Sequence, residues 1–160
     1  MAQEIIEKHL WEIDLGDIAE CVILIDIDGT IAVADTDTVE SGVSEALQAL
    51  QERNRVFLFS NNINGERLAS LARSLNVPHI ASSHRKPDPR VLRDIPNEDN
   101  WPLVVIGDKA LTDGLFAEFV AARFIKVRRV RGAGESNLQR FTYWVDDLSA
   151  PLVKAIKRHT

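Results

Sequence analysis

The chain has 160 residues and a net charge of −5, with 45% hydrophobic and 27% charged residues. This size and balance describe one globular domain with a real core, and the acidic net charge argues against a protein built to grip nucleic acid. A single cysteine, Cys21, excludes an internal disulfide framework, and no stretch reaches the roughly 18 apolar residues that a membrane-spanning helix needs. The opening segment, MAQEIIEKHLWEIDLGD, carries acidic residues throughout and no uninterrupted apolar run. A secretory signal is therefore not expected, and a cytoplasmic location is.

Along the chain, residues 21–27 read as a strand whose continuous β-branched character suits burial on both faces. Val43, Ala46, Leu47 and Leu50 sit at helical spacing behind a Ser/Thr-rich start, and Val56 to Phe59 form a second strand. Leu68, Leu71, Ala72 and Leu75 mark a second helix, His79 to Ala81 a short third strand, and Val91, Leu92 and Ile95 a short helix. Leu103 to Ile106 is a fourth strand, followed by a helix through Leu115, Phe116, Phe119 and Val120. Arg123 to Val130 alternates like a fifth strand, and Leu152 to Lys157 resembles a terminal helix. Alternating strands and helices predict a single α/β domain over 1–160. Its Rossmann-like parallel sheet of about five strands should carry helices on both faces.

The predicted strands end in polar residues. The first runs into Asp26 and Asp28 within LIDIDGT, the second into Ser60-Asn61-Asn62, and the fourth into Gly107-Asp108, while Lys86-Pro87 follows the third. Ligands of open α/β sheets bind beyond the carboxyl ends of strands, so these residues are expected to converge. Crowded carboxylates repel one another, and a divalent cation would remove that cost. An all-oxygen ligand set, with no His or Cys in the pattern, favours Mg²⁺. Ser60, the helix start after Asn62, and Lys86 could cradle an anion. Together these parts describe phosphoryl transfer.

The ordered set DIDGT, SNN, KPDP and GDKALTD resembles the four motifs of the haloacid dehalogenase superfamily of aspartate-nucleophile phosphatases, covering roughly residues 20–130. The resemblance implies that Asp26 is the nucleophile and Asp28 the general acid and base. It also implies that Gly29 and Thr30 shape the turn that frees both carboxylates. It further implies that Thr30, Ser60, Asn61 and Lys86 would bind the phosphate, with Lys86 catalytic as well. Mg²⁺ would be held by Asp26, Asp28 through its backbone carbonyl, and Asp108, with Asp113 in support. The gaps from Asp28 to Asn61 and from Asn62 to Lys86 are too short for a cap domain, so an open site is expected. SNN and GDKALTDGLFA are most similar to the group that includes phosphatidylglycerophosphate phosphatases, which more often carries Asn at the position of Gly29. The implied partner is a phosphorylated small molecule or a lipid head group, with peripheral membrane contact and a homo-oligomer as further expectations. A soluble sugar-phosphate or nucleotide phosphatase is one alternative, and a non-hydrolytic phosphate-binding scaffold is another.

Other features read more simply. Asn62 is expected to cap the following helix. Asp35 and Asp37 read as solvated loop residues, and Cys21 as an inert buried thiol. The basic run Arg123, Lys126, Arg128, Arg129 and Arg131 reads as a solvated edge strand protected by charge. Trp11, Trp101 and Trp144 read as packing residues.

Overall fold

The computed structural model describes residues 3–5, 8–34, 36–62 and 64–132. Among the described residues five strands form one sheet: β1 (Gln3–Ile5), β2 (Val22–Ile25), β3 (Arg55–Leu58), β4 (Leu103–Gly107) and β5 (Arg123–Lys126). Their order across the sheet is β1-β5-β4-β2-β3, and every pairing is parallel. The α/β architecture with a parallel sheet is as expected, but only four of the five strands read from the sequence belong to it. The segment 79–81 contributes a single bridge, His79 to Leu58, and the remaining place is taken by the unexpected β1.

Among the described residues three α-helices accompany the sheet: α1 (Val43–Gln51), α2 (Gly65–Leu75) and α3 (Leu115–Phe119). The period-2 alternation of β2 explains the two-layer cover. Ile23 and Ile25 point into a core shared with Val43, Leu47 and Leu50 of α1 and with Leu68, Leu71 and Ala72 of α2. Val22 and Leu24 point the other way, to Phe116 and Ala117 of α3 and to Val91 and Ile95. The predicted short helix near Val91 is a 3-10 turn, Pro89–Asp94, and a π-turn, Ala110–Gly114, leads into α3.

Several simpler readings change here. The strand β5 is not an edge, because β1 pairs along it through the register Gln3–Phe124 to Ile5–Lys126. Cys21 is half-buried rather than enclosed, and burial still pushes its thiol up from the ordinary range. Trp11 and Trp101 pack against the two cores as expected. Trp144, Asp35 and the predicted terminal helix at 152–157 lie outside the described residues. Between Asp28 and Asn61 the described chain forms a small flap, α1 and β3, and between Asn62 and Lys86 it forms α2 and a link, so no inserted domain stands there. Among the described residues, no helix is long and apolar enough to cross a membrane.

Candidate active site

In the sheet order, β2 lies between β3 and β4, so the chain leaves β2 toward one side and later returns on the other. This is a topological switch point, where the loops after β2 and β4 part and leave a crevice. Asp26 and Asp28 follow β2, Ser60 to Asn62 follow β3, and Asp108 and Asp113 follow β4. Lys86 reaches in from the link after α2. All of these sequence-predicted residues meet at the carboxyl edge.

Lys86 is the hub. Its side chain is 3% exposed, and the ammonium donates to Asp26 Oδ1 at 2.6 Å, Asp113 Oδ1 at 2.5 Å and the Phe59 carbonyl at 3.0 Å. Its backbone is fixed by Asn61, whose Nδ2 donates to the Lys86 carbonyl and whose Oδ1 accepts from the Lys86 N–H, both at 2.8 Å. Asn61, expected on the substrate, thus spends its amide in placing the lysine.

Asp28 is held on both oxygens. Ser60 Oγ and Asn62 Nδ2 each lie 3.2 Å from Oδ2 as donors, and Arg67 Nη1 forms an ion pair with Oδ1 at 2.9 Å whose N–H does not point along the contact. Ser60 Oγ also accepts the Asn62 N–H at 3.1 Å. Asn62 does not cap α2: the cap is Asn64, whose Oδ1 accepts from the Arg67 N–H at 3.0 Å. The backbone carbonyl of Asp28 accepts from Lys109 Nζ at 3.4 Å. Thr30 is fully buried under the turn, its hydroxyl without a hydrogen-bond partner among the described residues, so it does not line the crevice.

Asp108 shows what sequence reasoning missed. Arg129, read as part of a solvated basic strand, is buried, and its Nε donates to Asp108 Oδ2. The signal was present in the alternation: Ile125 and Val127 face the core, and Arg129 continues their parity past the end of β5. Two glycines make room for the carboxylates. A Cβ on Gly107 would stand 2.4 Å from the Asp113 carboxyl. Gly29, at φ +90°, would bring its Cβ within 2.7 Å of Asp108 Oδ2.

The electrostatics follow from crowding. Burial pushes the Asp113 carboxyl up to about 7, with Asp26 and Asp108 adding to the rise and Lys86 opposing it. Burial likewise raises Asp108, opposed by Lys109 and Arg129 and reinforced by Asp26. Burial disfavours the charge on Lys86, but Asp113 and Asp26 together outweigh it and hold the ammonium above its ordinary range.

One oxygen each of Asp26, Asp108 and Asp113 lie within 4.8 Å of one another. That spacing suits a single hard cation, whose oxygen ligands sit about 2.0–2.6 Å from the ion. Asp108 Oδ1 fits the same purpose: it is shielded from solvent and has no hydrogen-bond partner among the described residues, with Lys109 Nζ 3.9 Å away. Arg129 engages the other oxygen and leaves this one directed elsewhere. The residues present therefore fit a divalent cation.

No family model, no curated protein and no solved structure matches the chain.

Proposed function

We propose that this chain is a capless, Mg²⁺-dependent phosphomonoester hydrolase of the haloacid dehalogenase type, working through an aspartyl-phosphate on Asp26. The observation that carries the reading is the meeting of Asp26, Asp28, Lys86, Asp108 and Asp113 at one switch point, with a buried ammonium joining two of three clustered carboxylates.

In this reading an Asp26 oxygen attacks phosphorus while the ester P–O bond breaks, and the protonated Asp28 gives its proton to the leaving oxygen. Asp28, now a carboxylate, takes a proton from water as that water's oxygen attacks phosphorus. The bond from Asp26 to phosphorus breaks, inorganic phosphate departs, and both aspartates return to their starting states. Lys86 orients Asp26 and offers positive charge to the phosphoryl oxygens. Mg²⁺ on Asp26 and Asp108, with Asp113 in support, would add the charge stabilisation that a phosphoryl group requires. In this reading the short gaps between the motifs, which hold no described insertion, favour an open crevice. That suits a phosphate displayed on a large carrier such as a lipid head group.

The test is phosphate release from a panel holding an aryl phosphate, sugar phosphates, nucleotides and phosphatidylglycerophosphate in mixed micelles, with Mg²⁺ and with EDTA. Mg²⁺-dependent release that Asp26→Asn abolishes is expected. Release confined to soluble esters would discard the lipid. No release from any ester, together with no beryllofluoride adduct on Asp26, would overturn the hydrolase reading.

A further inference from the structure

Arg67 stands where simple rules disfavour it. It lies in the first turn of α2, where the helix dipole repels a cation, and its side chain is only 9% exposed. Its guanidinium instead joins three things. Nη1 pairs with Asp28 Oδ1 at 2.9 Å, Nε lies 3.3 Å from Asp37 Oδ1, and both Nε (at 3.1 Å) and Nη2 donate to the Thr36 carbonyl.

Thr36 and Asp37 belong to the flap that follows the first motif. The flap is pinned at its base by an antiparallel bridge between Ala32 and Val39 and by a bridge between Asp28 and Ala32. Its tip is crossed by the hydrogen bond from the Val33 N–H to the Thr38 carbonyl, 3.3 Å. Arg67 thus ties a helix, the flap tip and one oxygen of Asp28 into a single unit. Ser60 and Asn62 engage the other oxygen, and Arg67 adds a hold on Oδ1 from the side of the flap.

We infer that Arg67 is a positioning residue for proton transfer: it fixes the Asp28 carboxyl, through the flap, against the place where the leaving oxygen must be. The role rests on the hydrolase reading above and extends it to a residue outside the four motifs. The step it serves is the transfer of one proton from Asp28 to the ester oxygen as the P–O bond breaks. An aryl phosphate with a stable leaving anion barely needs that proton, whereas an alkyl phosphate such as glycerol phosphate depends on it.

The experiment compares kcat/KM of the parent, Arg67→Met, Arg67→Lys and Asp28→Asn on these two esters. Circular dichroism melts confirm that each variant folds. Arg67→Met should lose roughly 10- to 100-fold on the alkyl ester and less than about threefold on the aryl ester. Asp28→Asn should show the same split more strongly, and Arg67→Lys should recover part of the alkyl activity. Should Arg67→Met not fold, Arg67→Lys carries the comparison, with a smaller split expected. An equal loss on both esters, or no loss on either, overturns the role of Arg67 while Asp28→Asn still shows the split. A parent inactive on both esters overturns the reading on which the role depends.

Discussion

Replacing Lys86 with Met removes the only group that bridges Asp26 and Asp113 in the described site and leaves both carboxylates buried. Breaking one side of a buried ion pair costs about 3–5 kcal/mol, because the remaining charge keeps its desolvation cost without a partner. Counting the contacts gives a similar figure: two hydrogen bonds between charged groups at about 1.5–3 kcal/mol each. A loss near 4 kcal/mol would lower a urea midpoint by about 2 M at a typical slope of ~2 kcal/mol per M. The loss should be larger well above about pH 7, where Asp113 is ionised, than well below it, where a proton can stand in for the lysine. Urea titrations in EDTA at two such pH values provide the assay, and adding Mg²⁺ at the higher pH should restore part of the deficit. A variant as stable as the parent at both pH values would show that the Lys86 contacts carry no stability, and the charge argument for the site would fall with them.

Three further outcomes are expected. In the metal-free protein, Asp113 has a folded pKa raised to about 7, so its contribution is fully present below the ordinary carboxylate range near 3.8 and is lost as pH rises through that window. The thermal midpoint in EDTA should accordingly fall between those limits and flatten when Mg²⁺ is present, and parallel curves would refute a cation bound by Asp113's cluster. Arg129→Met leaves Asp108 buried without its guanidinium, so Mg²⁺ should raise the melting midpoint of the variant more than that of the parent; an equal or smaller rise would show that Arg129 does not balance Asp108. Gly107→Ala places a Cβ against the Asp113 carboxyl and should cost roughly 1–3 kcal/mol in a denaturation series, with an unchanged midpoint contradicting the close approach.

Much of the architecture was legible because burial imposes local patterns. A strand covered on both faces must be apolar throughout, and Val22–Ile25 and Leu103–Gly107 read that way. Asp26 and Asp28 stood out because aspartate is costly beside such a run. The two misread strand segments lacked such a signal. Gln3–Ile5 is three residues long, and only His79 of 79–81 makes a bridge, to Leu58.

The sequence by itself determined the alternation of strands and helices, the apolar faces, and the identity of the polar residues at the strand ends. Periodicity and the cost of burying charge act within a few residues, so those features can be read from neighbours alone. Tertiary structure decided which charge meets which. Asn61 turns to the Lys86 peptide, Arg67 crosses from α2 to Asp28 and the flap, and Arg129 folds back onto Asp108. Those pairings join residues far apart in the chain, two of them through the long, flexible side chains of arginine. Their partners are chosen by the strand order β1-β5-β4-β2-β3, which brings the loop ends together, and no local pattern encodes that order.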